Sequence, residues 1–454
     1  MLKADLFASV QILMSNPILQ AGSEIKQQYF AYLRRCVNAA KMSKRKFVKA
    51  QMVFYAATLT GRDTTDVRLR QDGIEIIKPY WYTLPFDFAS LLGFEKKLIE
   101  GQRVQEVLRG MIQDLSLSKE DVDVFWASFQ AVQNADAAWH VLENASVYRD
   151  EPEYYQKIRE NAAFLQQKPF GILVTATMSA GKSTFTNALV GKNVSLTQNM
   201  ACTAKIHTII GKPFEDGVIS EYDGELVIDA GKNELLSDSE NNTLDKLFVS
   251  SFLRGELGGK RIVLYDSPGV NSSLNESHMD ISTKELKRKK YNLMVYLMNA
   301  NHLSTHDEDA HLNFVAKHLG RTPIIFILNR VDDLILDEED VDAVIQRQRE
   351  YLAGKGFRNP IICPLSSWAG YLAKKGAIEQ LSRLESRQLD VLLAKYEQAG
   401  LSKYYENAFP AVAVPDSEDE LQQLQKECGL TYVEKIITYY YEGGKRNGAG
   451  LRKV

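Results

Sequence analysis

Apolar positions along the chain follow two different periods. Through residues 1–165 they recur at helical spacing: Phe125, Phe129, Val132, Ala135 and Trp139 mark one buried face, and Arg45–Thr58 carries a similar amphipathic pattern. Ser118-Lys-Glu-Asp121 has the form of a helix start, with a hydroxyl at the cap and a carboxylate at the third helical position. From about residue 166 the texture changes. Short apolar runs alternate with amphipathic helices: Phe170–Thr175, Lys205–Gly211, Arg261–Tyr265, Leu293–Met298 and Pro323–Leu328. This alternation predicts an α/β domain built on a doubly wound, mostly parallel sheet. Gly217–Tyr222 and Glu225–Ile228 read as a hairpin turning on Asp223-Gly224. Beyond Pro364 the stretch 370–428 is charged and helical, broken at Asn407-Ala-Phe-Pro410 and at Pro415. Tyr432–Tyr441 reads as one more apolar helix that closes the sheet domain. The expected organisation is an all-α domain over 1–165 and an α/β domain over 166–442 with a helical insertion at about 370–428. A flexible basic tail over 443–454 follows.

The chemistry begins where the first strand ends. Ala176-Thr-Met-Ser-Ala-Gly-Lys-Ser-Thr184 lies between an apolar strand and a helix start, the context in which a Gly-Lys-Ser loop binds phosphate. Ala176, Thr177, Met178, Ser179, Ala180 and Gly181 form the loop, whose N–H groups can wrap a polyphosphate at the positive end of the helix dipole. Lys182 supplies a point charge for the β- and γ-phosphates. The Ser183 hydroxyl is placed to ligate Mg²⁺, and Thr184 follows on the helix. Ala176 stands where the motif usually has its first glycine, and it is small enough for the same close packing.

Four further elements follow in order. Asp266-Ser-Pro-Gly269 closes the strand Arg261–Tyr265, where Asp266 can hold Mg²⁺ and the Gly269 N–H can sense a γ-phosphate. Asn329-Arg-Val-Asp332 closes the strand Pro323–Leu328. A carboxylate at Asp332 can accept from both the N1–H and the amino group of guanine. Adenine offers no such pair, and the unpaired carboxylate costs about 1–3 kcal/mol, so GTP is favoured over ATP. The Arg330 stem can lie along the face of the base. Ser366-Ser367, after the short strand Pro360–Cys363, is expected to offer backbone N–H groups to guanine O6. Thr203, in Asn199-Met-Ala-Cys-Thr-Ala204, can close over Mg²⁺ and the γ-phosphate.

Composition narrows the class without changing it. The chain has 454 residues, 45% of them hydrophobic and 25% charged, ordinary values for two or three globular domains. A net charge of −3 argues against a dedicated nucleic-acid binder. The four cysteines, Cys36, Cys202, Cys363 and Cys428, lack metal-type spacing and read as free thiols in a reducing, cytoplasmic setting. No apolar run approaches the about 20 residues of a membrane span, and Asp5 and Gln11 interrupt any signal-like stretch. His302, His306, His311 and His318, with Asp307, Glu308 and Asp309, read as a polar loop and helix start rather than a metal site. The aromatic stretch Tyr80–Phe88, extended by Leu91, Leu92 and Phe94, reads as core packing rather than a lipid-dipping element. Lys41-Met-Ser-Lys-Arg-Lys46 reads as a solvated basic face.

Together Thr177–Thr184, Cys202-Thr203, Asp266-Ser-Pro-Gly269, Val295–Ala300 and Asn329-Arg-Val-Asp332 resemble the GTPase domain of bacterial dynamin-like proteins. The resemblance covers about 166–368, with 429–441 as a further candidate segment, and leaves residues 1–165 unassigned. It implies a large GTPase of low nucleotide affinity, cycling between GTP and GDP and coupling that cycle to conformational change or to a nucleotide-dependent homodimer. Ser179, Lys182, Thr203 and Gly269 would carry catalysis, with Ser183, Thr203 and Asp266 at Mg²⁺. A peripheral membrane contact stays open, a full membrane-remodelling machine is not implied, and no nucleic acid is expected. Two departures shape the expectation. Met178 stands where eukaryotic dynamins place a Gln that positions water, which implies hydrolysis that is slow or dependent on a partner. Little chain follows the GTPase domain here, whereas dynamins carry a long trunk and membrane tip after it. Two other readings stay open: a GTP-dependent binding switch with negligible turnover whose helical domain docks a partner, and an Era-like ribosome-associated GTPase.

Overall fold

In the computed structural model, contacts divide the chain into two units, Met1–Lys168 and Pro169–Val454. The structure describes residues 3–62, 65–132, 136–177, 179–195, 206–222, 226–231, 246–266, 291–303, 305–334, 341–445, 448 and 450–451. Met178, Thr203, Gly269 and the expected turn Asp223-Gly224 lie outside the described residues.

The first unit is helical among its described residues. Its centre is the short helix Leu84–Leu91, in which every residue is buried. From Tyr82 onward the aromatic stretch is thus core, met by Tyr29 of helix Ser23–Ala39 and by Tyr55 of helix Lys46–Thr60, whose hydroxyls reach Asp87. Phe86 meets Tyr148 and Tyr154 edge to face, the geometry that aromatic quadrupoles favour. Ser118 caps its helix by accepting from the Asp121 N–H at 3.1 Å. Phe125 and Phe129 are buried on that helix, Lys119–Ala131. The single face expected to run on to Trp139 is divided instead, because Trp139 belongs to a separate helix, Asp136–Asn144, and is only half-buried.

One charged group sits inside this apolar core. The Asp87 carboxylate is fully buried and accepts from Asn16 Nδ2 and Tyr29 OH, both at 2.6 Å, and from Tyr55 OH at 3.0 Å. Burial pushes its pKa up to about 6, while the three donors pull it down.

The second unit holds a nine-stranded sheet among the described residues: β1 (Phe170–Ala176), β2 (Ile206–Gly211), β3 (Ser220–Tyr222), β4 (Leu226–Ile228), β5 (Lys246–Ser251), β6 (Ile262–Asp266), β7 (Leu293–Asn299), β8 (Ile324–Asn329) and β9 (Ile361–Leu365). Their order is β4-β3-β5-β2-β6-β1-β7-β8-β9. From β6 to β9 every pairing is parallel. β2 runs antiparallel to β6, and β3 and β4 form the expected antiparallel hairpin. This is the mixed, mostly parallel sheet of a P-loop GTPase fold. The central strands β1 and β7 are buried almost throughout, as parallel strands covered on both faces must be. β5 escaped the sequence reading: Lys246-Leu-Phe-Val-Ser-Ser is short and half polar, and only its place between β2 and β3 makes it a strand.

Helices Ser367–Gly376, Arg383–Gln398, Ser402–Ala408 and Glu420–Glu427 make the insertion, and Leu430–Tyr441 follows. The described part of the expected flexible tail is packed rather than loose. Leu451 is 2% exposed within the sheet-unit core, and the Gly450 N–H reaches Tyr439 OH at 3.2 Å. An apolar residue near the chain end gains more from this burial than from solvent.

Asp87 sets a testable pH dependence. Its folded pKa lies above the unfolded value, so its contribution is fully present below pH 4 and falls as pH rises through about 6, by about 3 kcal/mol. Urea unfolding between pH 4 and 7 should show this loss as the difference between the native protein and Asp87→Asn, which lacks the titration. Parallel pH profiles for the two proteins would contradict it.

Candidate nucleotide site

The parallel register builds the site. Val174 pairs with Asp266, Ala176 with Leu297, Asn299 with Asn329, and Asn329 with Leu365. The carboxyl ends of β6, β1, β7, β8 and β9 therefore open on one edge. β1 lies between β6 and β7, where connections diverge to either side, the position at which open α/β sheets bind ligands.

At that edge β1 gives way to a loop held by backbone geometry. Ser179 is exposed and has φ 63, and Gly181 has φ 83. Gly181 is the N-cap of helix Lys182–Val190 and offers no side-chain cap to the first-turn N–H groups. A Cβ at Gly181 would collide with the Asn329 amide, so glycine is required by both conformation and space. Ala176 and Ala180 are buried beneath the loop, whereas Thr177, Ser183 and Thr184 are half-buried.

Two asparagines suspend the loop. Asn299 donates to the Ser179 carbonyl at 3.2 Å. Asn329, 1% exposed, donates to the Ala180 carbonyl at 2.8 Å and accepts from the Ser367 N–H at 3.1 Å. The motif residue expected to belong to the base loop thus ties that loop to the phosphate loop. Asn299 ends the β7 strand whose apolar run was noted in the sequence, and its amide was legible only after β7 and β8 came into register.

Lys182 pairs with the Asp266 carboxylate, and the other oxygen of Asp266 accepts from Ser195 Oγ at 2.9 Å. Asp266 is 4% exposed. Ser195 is placed by Asn187, which accepts from the Val194 and Ser195 N–H groups at 2.9 and 2.8 Å. Asn187 and Ser195 were missed in the sequence, because nothing in the local pattern distinguishes them from ordinary helix-end and turn residues. Ser183, Asp266 and Ser195 offer hard oxygen donors on neighbouring elements, a set that suits Mg²⁺ rather than a softer metal.

The base loop is the turn Val331–Asp333. Arg330 precedes it with φ 66, and its exposed guanidinium lies 3.8 Å from Asp333. Burial pushes the Asp332 pKa up, opposed by a hydrogen bond from Ser366. One carboxylate oxygen of Asp332, Oδ1, is buried with no hydrogen-bond partner. Ser366 and Ser367 differ from expectation. The Ser366 N–H goes to the Cys428 carbonyl at 3.0 Å and the Ser367 N–H to Asn329, so both are spent inside the protein rather than presented to a base. Ser366 also caps helix Ser367–Gly376 through Ala369 N–H at 3.1 Å. Backbone groups next to a strand end must find partners, and these found them locally.

The polar stretch after β7 is a helix start: Thr305 caps His306–His318 by accepting from the Glu308 N–H at 3.2 Å. His311 turns inward against Tyr296, and burial lowers its pKa to about 4.

Fold and loops have the arrangement of a P-loop unit. Residues 172–331 match the family model for the dynamin family. A bacterial dynamin-like protein from Nostoc punctiforme is 27% identical over 197 residues, covering 39% of this chain and 27% of that protein. The match therefore spans about a quarter of the curated relative's length. Among solved structures, Era of Aquifex aeolicus bound to GDP and aluminium fluoride is 19% identical, with 44% of this chain and 52% of that chain covered and a TM-score of 0.27. A chain of an oligomerised bacterial dynamin pair, described as sensing and tethering membranes over long range, is 16% identical, with 91% and 60% covered and a TM-score of 0.38. The similarity to the dynamin family thus rests on residues 172–331. Among the described residues no helix is long and apolar enough to cross a membrane.

Asn329→Ala would leave the Ala180 carbonyl and the Ser367 N–H buried without their partner. Each such group costs about 1–3 kcal/mol, so thermal unfolding should show a clear loss of stability. An unchanged melting temperature would mean that the two loops are held independently.

Proposed function

We propose that this protein binds GTP with Mg²⁺ and hydrolyses it to GDP and phosphate, coupling the cycle to conformational change or self-association. The observation that carries the base assignment is the orphaned Oδ1 of Asp332, buried in the turn that follows a strand whose last residue, Asn329, is tied to the phosphate loop. A buried carboxylate oxygen without a partner is costly. Guanine, with its N1–H and 2-amino group side by side, would bring the donor that Oδ1 lacks and a second donor to the same carboxylate.

The rest of the site follows from its groups. Open N–H groups at the start of helix Lys182–Val190 face an anion with the positive end of the helix dipole. Lys182 would exchange its bond to Asp266 for one to the β- and γ-phosphates. Ser183 and Asp266 would hold Mg²⁺, with Thr203 as a third ligand; the ion when bound neutralises charge on the phosphate oxygens. Ser195 would orient the Asp266 carboxylate. Ser179, exposed at the loop tip, and the Gly269 N–H would meet the γ-phosphate and the attacking water. No carboxamide stands at Met178 to orient that water, so turnover depends on backbone groups, on Ser179 and Thr203, or on a second molecule. A nucleotide-dependent homodimer and a peripheral contact with membranes are the partners this reading includes. Met178 equally favours a second reading, a GTP-dependent switch with negligible intrinsic hydrolysis.

Single-turnover hydrolysis across protein concentrations separates the two. A rate that climbs with concentration supports an enzyme activated by self-association; a flat rate near background leaves only the switch. Lys182→Ala should reduce GTP affinity at least about tenfold, since one phosphate-facing charge-assisted bond contributes about 1.5–3 kcal/mol; calorimetry showing undiminished affinity would remove Lys182 from the site. Asp332→Asn should transfer preference from guanine to xanthine nucleotides, whose 2-oxo group suits a donor.

A further inference from the structure

Behind the base loop stands a helix to which no motif pointed. Arg383–Gln398 begins with a reciprocal capping box between Ser382 and Glu385, which fixes its first turn. Three turns on, Lys395 reaches the Val331–Asp333 turn. The Lys395 ammonium donates to the backbone carbonyls of Asp332 and Leu334, the latter at 3.0 Å. Tyr396, 2% exposed, follows on the same helix, and burial, with the Asp332 charge adding to it, raises its pKa.

The turn is anchored by the buried side chains of Val331 and Leu334 and by Asn301, which donates to the Asp333 carboxylate at 3.0 Å, but its backbone has few bonds. Its own backbone bonds are Asp333 N–H to the Arg330 carbonyl at 3.1 Å and Leu334 N–H to the Val331 carbonyl at 3.2 Å. It is entered through a left-handed arginine, a conformation with no ladder to support it. A cation bonded to the carbonyls on both sides of Asp333 adds a fixed point to the backbone between those anchors.

We propose that Lys395, from the helical insertion, is a positioning residue for guanine recognition: it clamps the Asp332–Leu334 backbone so that the Asp332 carboxylate stays aligned for two hydrogen bonds to the base. The inference rests on the guanine reading above and deepens it. Two parallel bonds to a planar base need the carboxylate plane fixed as well as its distance, and a turn free to rotate keeps one bond and loses the other.

Charge acts in the same direction. The groups whose charge or hydrogen bonding acts on the Asp332 carboxylate are Ser366, Asp333 and Lys395, and its own charge is felt by Tyr396 and Cys428. Arg330, next in the loop, is turned to Asp333. Burial raises the Asp332 pKa and Asp333 adds to that, whereas the Ser366 hydrogen bond and the Lys395 charge lower it. Lys395 thus helps to keep ionised the carboxylate whose orientation it sets. Removing the ammonium should loosen the turn and move the acid limb of guanine binding to higher pH.

The test compares GDP with IDP, which lacks the 2-amino group, by competition for the full-length protein at a series of pH values. The native protein should prefer GDP. Lys395→Met should weaken GDP about tenfold, the loss of about one hydrogen bond to a charged group, and should weaken IDP far less, so that the preference shrinks. Its GDP affinity should also fall away at a higher pH than that of the native protein. Lys395→Arg, which can still donate to both carbonyls, should restore both properties. Equal losses for GDP and IDP would reduce Lys395 to a support of the fold and overturn the proposal, as would an unchanged GDP affinity. A native protein indifferent between GDP and IDP would instead show that the guanine reading fails, and the proposal with it.

Discussion

Parallel pairing is the constraint from which the site follows. Strands that run the same way from β6 to β9 deliver their carboxyl ends to one edge, and the register then decides which residues meet there. Asn299 pairs with Asn329, and Asn329 with Leu365. A slip of one residue in β8 would turn the Asn329 side chain to the other face of the sheet. The Ala180 carbonyl and the Ser367 N–H would then both lose their partner. The phosphate loop and the base loop are distant in sequence, yet one buried amide holds both, so the distance between phosphate and base recognition is set by the sheet and not by either loop.

Much of this was legible in the sequence because it depends on local signals. The run from Phe170 into Gly181-Lys-Ser is a strand, a turn needing positive φ, and a helix start, and each is written in residue type. Asp266 and Asn329 could be placed because each ends an apolar run. What the sequence could not carry is chemistry assembled across elements. Asn187 and Ser195 support Asp266 only because a turn folds back on its helix. The Ser366 and Ser367 N–H groups were assigned to a ligand from motif order alone, but a strand end near Cys428 and Asn329 gave them partners inside the protein. Lys395 sits in a charged helix whose pattern resembles any solvated surface helix. Strand β5 failed for a related reason, since half its residues are polar and its neighbours alone make it a strand. The face drawn from Phe125 to Trp139 failed because a periodic pattern continued across a helix boundary.

The two units place polar groups inside apolar surroundings by different means. In the helical unit, Asp87 is surrounded by donors from Asn16, Tyr29 and Tyr55, with no cation among the causes of its shift. Hydrogen bonds lower the cost of the charge without cancelling it, which is why its pKa stays raised. In the sheet unit, Lys374 and Glu434 are both buried and form an ion pair. Burial pushes the Lys374 pKa down and the Glu434 pKa up, while each partner opposes the other's shift. Such a pair contributes little net stability when made and costs about 3–5 kcal/mol when one partner is removed, so it specifies an arrangement more than it strengthens one.

The arrangement it specifies concerns the helix behind the phosphate loop. The last carbonyls of Lys182–Val190 are taken by two cations: Leu189 by Lys374 at 3.1 Å and Val190 by Arg254 at 2.8 Å. Cations at this end also suit the helix dipole. Lys374 bonds the Arg254 carbonyl at 3.0 Å as well, and Glu434 accepts the Glu256 N–H at 3.2 Å. The helix is therefore fastened at its first turn by the asparagine-tied loop and at its last by a buried ion pair. The phosphate loop and helix Leu430–Tyr441 are thus joined in the fold through one short helix, held at its start by a buried asparagine and at its end by a buried ion pair.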